Sequence, residues 1–576
     1  MKRSSLAIPI LILCAKALLA QRETLSSDFD HADPRSRVNV IVQFKTAPTA
    51  DQLQRIRKLG GVLVSELKII NGATYSMPMD NVPSMALEEE VAYVSPDRSL
   101  SGMLDNTAGA VNVRQAWQAG WSGSGIGVAV IDSGISNHDD LVSGGNRIVY
   151  REDFTVNTHI NLQPGTSVRF NSSTTDDVYG HGEHVAGIIA GNGEDSDCFF
   201  CFRRFTGMAP HANLLDLRVL DKNGESTDTA VIQAIYRVIQ LKDSFNVRVI
   251  NLSLGRPLYE SYKYDPLCQA VEAAWKAGIV VVVAAGNYGR VNAAGNNGYG
   301  TVTSPGNDPF VITVGAMKSM GTPDRGDDLI ASYSSKGPTA IDHIIKPDLV
   351  APGNRVVSLY ARGATLEHSF PQNDVFLPYY TWIWWNIPSD TYFVLSGTSM
   401  AAPVVSGAAT LLLQAHPELT PDQVKAKLMR TAYKTFPQTS TAQDPITGQS
   451  FISEYDIFTI GAGYLDIAAA LADTTPFPGT ALSPTAIFHP SYAPDQALVV
   501  CDKSSICASQ SIWGTQSVWG TQSVWGTQSI WGTQSVWGTQ SVWGTQSVWG
   551  TQSVWGTTIS AADFVELTDI SVNGEN

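Results

Sequence analysis

The sequence predicts an α/β protein. A doubly wound parallel sheet is expected, preceded by a small ferredoxin-like α+β domain and followed by a hexapeptide repeat. Three observations carry this. Between residues 108 and 472, nearly continuous apolar runs rich in Val and Ile alternate with helix-like segments. Residues 37–98 compress a β-α-β-β-α-β pattern into a short stretch. From Ser511 the unit Ser-Val/Ile-Trp-Gly-Thr-Gln recurs, with Trp at 513, 519, 525, 531, 537, 543, 549 and 555.

Taken in order, Lys2 and Arg3 precede a short apolar run, 6–14, and small residues; cleavage after Ala17 or Ala20 fits an export signal over 1–20. The run is too short to span a bilayer. Residues 21–36 are polar. Val38, Val40, Val42 and Phe44 alternate with Arg37, Asn39, Ile41 and Gln43, the pattern of a strand with one strongly apolar face. A helix over 50–59, strands over 62–70 and 72–77, a helix over 83–89 and a strand over 91–94 complete a small domain, 37–100, whose order is that of the split β-α-β motif. In 108–472, the runs 126–131, 213–219, 247–252, 279–284 and 311–314 are unbroken rather than alternating, as expected of strands buried on both faces. Helix-like segments 181–190, 228–241 and 267–277 lie between them, which implies a parallel, doubly wound sheet. In such sheets chemistry sits beyond the carboxyl ends of the strands. Residues 473–507 read as a linker, and 508–558 as the repeat tail.

A chain of 576 residues is too long for one hydrophobic core. Its formal net charge of −15 disfavours nucleic acid and anionic membranes as partners. No stretch after the signal reaches transmembrane length, so a soluble, secreted protein without a membrane span is expected. Removing Cys14 leaves Cys198, Cys201, Cys268, Cys501 and Cys507, an odd count that leaves at least one thiol free or intermolecular. Cys198 and Cys201 have a spacing that fits a local disulfide or half a metal site; an oxidising compartment favours the disulfide.

Three segments carry chemistry. Gly397-Thr398-Ser399-Met400-Ala401-Ala402-Pro403 opens a helix, whose N-terminus offers N–H groups and a positive dipole end to an oxyanion developing beside Ser399. A serine hydroxyl needs a base. His181 opens the helix His181-Gly182-Glu183-His184-Val185-Ala186-Gly187. A histidine base needs an orienting acid, and Asp132 ends the run Gly127-Val128-Ala129-Val130-Ile131 before Ser133-Gly134. Each piece alone is modest; three at element ends, in the order Asp, His, Ser, are much stronger.

These segments resemble those around the catalytic triad of subtilisin-like serine proteases, which share that chain order. Further segments are similar: Gly207-Met208-Ala209-Pro210, Lys346-Pro347-Asp348-Leu349-Val350-Ala351-Pro352-Gly353 and Gly461-Ala462-Gly463. The resemblance spans residues 38–472. It implies a serine endopeptidase with a subtilisin-like peptidase domain at 108–472 and an inhibitory prodomain at 37–100, and protein or peptide substrates. It implies that Ser253, Leu254 and Gly255 form the strand that pairs with the substrate backbone. Ala284, Ala285 and Gly286 would then wall the pocket for the residue before the scissile bond, with Asn287 as side-chain oxyanion donor. The chain is expected to cut itself between residues 98 and 106.

Two departures from the family pattern stand out. Glu183 stands where the family usually has Thr; an acid in a first helical turn suits the helix dipole, and two positions along the helix it points away from His181. The loop 191–206 carries both close cysteines and Phe202-Arg203-Arg204-Phe205. Family members often bind calcium near this loop and Asp140 matches a family ligand, but the altered loop leaves structural calcium unsupported, so no metal is assigned and no cofactor is required. The segment 370–393 is rich in aromatics, including Tyr379, Tyr380, Trp382, Trp384, Trp385 and Tyr392. Core packing is favoured there over a substrate-facing rim.

The repeat has an even period, so each unit of an extended strand presents Trp on the same face. That surface suits stacking on polysaccharide rings or self-association. The rival to an enzyme is therefore a surface-binding, adhesive protein acting through this tail.

Overall fold

Unbroken Val and Ile runs need cover on both faces, and the chain supplies it. The strands β6 (Gly127–Asp132), β8 (Asn213–Arg218), β10 (Val247–Leu252), β12 (Val280–Ala284) and β13 (Ile312–Lys318) are joined by β7 (Ile148–Asp153), β14 (Leu329–Ile330) and β15 (Leu349–Pro352). They form an eight-stranded sheet of order β14-β13-β12-β10-β6-β8-β7, with β15 on β13. Every pairing is parallel except β13 with β14. Every residue of β6 and β12 is buried. The helices His181–Ala190 and Thr398–Ala415 pack on each other and on the sheet, as do Asp228–Leu241 and Pro266–Lys276. Thr227 caps the third of these helices through Ala230 N–H, and Asp265 caps the fourth with Pro266 at its first position.

This computed structural model describes residues 36–102 and 110–487, apart from 47, 49, 68–70, 89, 97–98, 156–174, 293–295, 321, 323–324, 384, 386 and 445–447, together with 24, 25, 29, 498–500, 529–530, 574 and 575. The expected export signal, Cys501, Cys507 and all of the repeat except Ser529 and Ile530 lie outside these residues.

Near the start, β1 (Arg37–Phe44), β2 (Val62–Leu67), β3 (Gly72–Pro78) and β4 (Val91–Pro96) make an antiparallel sheet of order β2-β3-β1-β4. The helices Ala50–Lys58 and Val82–Ala86 complete the expected β-α-β-β-α-β order. Val40, Val42, Phe44, Ile56 and Met85 form its own core. The other face of β1 is not a solvent face. Ile41 joins the main core. Gln43 Nε2 donates to Tyr264 O at 2.6 Å, and Thr74 and Thr229 hydroxyls share a hydrogen bond of 2.7 Å. Tyr93 stacks on Tyr264 at 5.3 Å. The small sheet is thus docked on the large body through buried polar contacts.

The next strand, β5 (Ser99–Gly102), lies between β9 (Glu225–Thr227) and β11 (Leu254–Gly255), antiparallel to both. Gly102 faces Leu254 and Ser101 faces Gly255.

Two expectations need correction. The described part of the segment expected as a linker is packed: Ala481 is 1% exposed, and Ser483 Oγ donates to Asp348 at 2.5 Å and accepts from the buried Lys425. The strand Thr485–Ile487 then pairs with Leu498–Val500, which pairs with Ser529–Ile530. The helix Thr398–Ala415 is long and apolar enough by composition to cross a bilayer, but 89% of its apolar window is buried. It is a core helix.

Candidate active site

The carboxyl end of β6 delivers Asp132, and the turn after it is built to receive a helix. Gly134 has φ +118°, and a Cβ there would meet Thr175 O at 2.4 Å. A Cβ on Gly182 would meet Gly134 O at 2.3 Å, so the helix that begins at His181 sits directly on the turn. Ser133 Oγ accepts Gly182 N–H at 2.8 Å and pins the contact. In consequence His181 Nδ1 and Asp132 Oδ1 are 2.6 Å apart, both side chains fully buried. A carboxylate only accepts, so Nδ1 carries the proton and Nε2 of a neutral ring is left as acceptor. Asp132 Oδ1 also accepts Ser133 N–H at 2.8 Å.

Ser399 lies in the first turn of Thr398–Ala415, which packs against the His181 helix. Gly397, at φ +131°, precedes the helix, and its N–H donates to Gly353 O at 2.7 Å. Ser399 Oγ donates to Ser253 O at 3.2 Å, while Ser253 Oγ donates to Ser399 O at 2.7 Å. Asn287 reaches the same helix end: its Oδ1 accepts both Thr398 N–H (2.9 Å) and Thr398 Oγ1–H (3.0 Å). Two donors on the oxygen fix the amide, so Nδ2 is the end left to donate elsewhere. Gly286 N–H donates to Thr398 Oγ1, and Gly286 sits at φ +113° where a Cβ would meet Ser335 Oγ at 2.7 Å. The structure therefore brings Ser253, Asn287 and Gly286 to Thr398-Ser399, with Leu254 and Gly255 in β11 and Ala284 and Ala285 leading from β12 into Gly286.

Sequence reasoning missed three supports. Thr398 links Asn287, Gly286 and the helix that bears Ser399, and Ser133 seats the His181 helix. Asp177, fully buried, accepts N–H groups from Tyr179, Gly180 and Glu183. An Asp followed by Gly just ahead of a helix was the available signal.

Glu183 is not a surface acid. It is wholly buried, and its carboxylate takes Ser136 N–H. Burial first, then the charge of Asp177, pushes its carboxyl well above the ordinary range. Burial also raises Asp177, and raises Asp216 to about 8 despite the Arg151 guanidinium 3.1 Å away. Arg151 keeps some solvent and is shared with Thr175, so burial of the acid prevails. His184 is held neutral: burial, then the neighbouring His181, pushes it down to about 3.

The residues near Asp140 do not fit a calcium ion. His138, Asp140 and Asp195 do converge within 4.8 Å. Each Asp140 carboxylate oxygen, however, already accepts a hydrogen bond, from Asp195 N–H at 2.8 Å and from Tyr392 O–H at 2.9 Å. The Arg147 guanidinium already supplies positive charge to the Asp140 and Ala190 carbonyls. Calcium asks for six to eight free oxygens, and an imidazole is a poor member of that set.

Cys198 and Cys201 form the expected local disulfide, and Cys268 is a buried free thiol. The aromatic segment divides. Tyr380, Tyr392 and Phe393 are core residues, whereas Tyr379, Trp382 and Trp385 are 47%, 65% and 73% exposed. For the last three the core-packing expectation is corrected. The reason is local: Trp382 packs on Phe202 at 5.0 Å, so the two surface loops cover each other rather than the core.

Comparison with known proteins gives three findings. Residues 123–451 match the Subtilase family. Over 410 residues the chain is 32% identical to serine protease AprX of Bacillus subtilis (strain 168), covering 68% of this chain and 82% of that protein. It is 31% identical over 401 residues to subtilisin E of the same organism, covering 68% and 84%. The fold is similar to that of fervidolysin from Fervidobacterium pennivorans, a keratinolytic enzyme related to subtilisin, with a TM-score of 0.55 and 20% identity; the match covers 82% of this chain and 64% of that one.

Proposed function

The chain belongs to the subtilase family and is a serine-type endopeptidase; from that premise we propose that it is secreted, is made as a self-processed zymogen, and works through Asp132, His181 and Ser399. The observation that carries the mechanism is the buried 2.6 Å bond between His181 Nδ1 and Asp132, on a helix packed against the one whose first turn bears Ser399.

Ser399 Oγ attacks a peptide carbonyl as His181 Nε2 takes its proton, forming the tetrahedral intermediate. His181 then gives that proton to the leaving amine, and water repeats the sequence on the acyl-enzyme. Asp132 fixes the tautomer and stabilises the imidazolium without taking the proton itself. Asn287 Nδ2 and Ser399 N–H receive the oxyanion. Ser253 to Gly255 pair with the substrate backbone, and Ala284 to Gly286 line the adjoining pocket.

The self-processing reading rests on β5, which sits as a third strand between β9 and β11 where a substrate would add. Residues 37–100 are then the prodomain, cut from the body between residues 98 and 106, and act as its inhibitor. Expressed in a protease-free host, Ser399→Ala is expected to accumulate the full pro-form and to lose fluorophosphonate labelling. Normal processing of that variant rules out self-cleavage. Labelling that persists rules out Ser399 as nucleophile. Sequencing the N-terminus of the product secreted by the unaltered chain locates the cut and tests export.

A further inference from the structure

Far along the chain from the peptidase core, Gly574 and Glu575 return to it. Glu575 is buried, its side chain 2% exposed. Its Oε1 accepts from Arg290 at 3.1 Å and from Ser332 N–H at 2.9 Å, with Ser332 Oγ–H on the same atom. Its Oε2 is 3.6 Å from Lys318 Nζ. Both cations are themselves buried, at 3% and 9% exposure. The backbone is read as well: Glu575 N–H donates to Asn354 Oδ1 and Asn354 Nδ2 donates to Glu575 O, both at 2.9 Å. Gly574 has φ +72°, and a Cβ there would meet Ser396 Oγ at 2.2 Å.

From this geometry we infer a binding site for a Gly-Glu dipeptide, built by Arg290, Lys318, Ser332 and Asn354, whose occupant is this chain's own Gly574-Glu575. The electrostatics require an anion. Arg290 has a second partner in Asp444 at 2.9 Å, but removing the carboxylate withdraws an acceptor from the buried Arg290 and Ser332 and a facing negative charge from the buried Lys318, which is unfavourable. The shape requires glycine before the acid. The chain, paired to the body at Leu498–Val500 and Ser529–Ile530, is therefore fastened again at Gly574, so the repeat beyond Ile530 belongs to a segment held at both ends rather than to a tail held at one. The second fastening adjoins the nucleophile: Ser396 lies three residues before Ser399, and Gly353, next to Asn354, accepts Gly397 N–H.

The test is a double-substitution cycle on the full chain, read by thermal unfolding with a serine-protease inhibitor present. Glu575→Gln keeps the shape and removes the charge; it is expected to lower the midpoint by about 2–4 °C. Gly574→Val is expected to do the same by expelling the dipeptide. In a Lys318→Met background the effect of Glu575→Gln is expected to fall to less than half, because the two groups face each other. If Glu575→Gln melts with the unaltered chain, or shifts the midpoint equally in both backgrounds, the docking is wrong.

Discussion

Asn287 offers a residue-scale test with a narrow meaning. Its Oδ1 is tied to Thr398, so Asn287→Leu removes both a donor and a brace, whereas Asn287→Asp keeps an acceptor for Thr398 and loses only the Nδ2 donor. Both are expected to lower kcat by about 10²–10³-fold with KM little changed, a figure borrowed from the equivalent donor in a related subtilisin. A fall confined to KM would mean that Asn287 binds substrate rather than the oxyanion. Glu183 tests the buried acids. Its carboxyl titrates higher when folded than when unfolded, so above the ordinary carboxyl value of 4.5 the folded state holds protons that the unfolded state has released. Stability from this source is complete below that value and falls as pH rises towards the folded-state titration. Glu183→Gln is expected to flatten the decline of the melting midpoint as pH rises above 4.5; an unchanged slope would show that the carboxyl is ionised in the fold. Because burial favours the uncharged form of this acid, Glu183→Thr is expected to leave the acid limb of the pH–rate profile in place. The position of Glu183 in a first helical turn was legible from sequence. Its burial was not, because that depends on Asp177 and Ser136, which no local pattern ties to it.

Among elements, β5 has two neighbours and no free edge. A proline at Ser101 removes a ladder donor and is foreign to a strand paired on both sides. Ser101→Pro is expected to slow conversion of the pro-form, followed by pulse-chase, while leaving the activity of mature enzyme untouched. Equal conversion would show that β5 pairing does not present the cut site. The separated segment 37–102 is expected to inhibit mature enzyme, and the corresponding Ser101→Pro segment to inhibit less. The parallel strands were plain in the sequence because burial on both faces leaves unbroken apolar runs. The docking face of β1 was not: Gln43 reads as a solvent residue in an alternating strand, and only the fold supplies Tyr264 as its partner. The packing of 473–487 was hidden for a similar reason. Ser483 and Ala481 look like loop residues until Asp348, Lys425 and Asp422 are placed beneath them.

For the whole molecule, peptidase and repeat are expected to separate in function. Removing residues 511–558 while keeping 559–576 preserves the Glu575 anchor; hydrolysis of small peptides is expected to be unchanged, and any retention on insoluble polysaccharide to be lost. Loss of peptidase folding would show that the repeat is part of the catalytic body. The eight-stranded and four-stranded sheets were legible because each has its own periodicity, whereas the return of Glu575 was not, since its partners at Arg290 and Ser332 are 285 and 243 residues away. The arrangement β11-β5-β9 has one more consequence. Once the middle strand departs, the space left between two parallel-running edges is the width of a single extended chain, two strand spacings of about 4.8 Å, and an α-helix, about 10–12 Å across with its amides already engaged, has no way in. On the self-processing proposed above, a protein substrate is expected to open locally first to supply a naked stretch. When that opening is fast compared with cleavage, the rate of digestion reports the substrate's own stability: a target weakened by about 1.4 kcal/mol is consumed about tenfold faster.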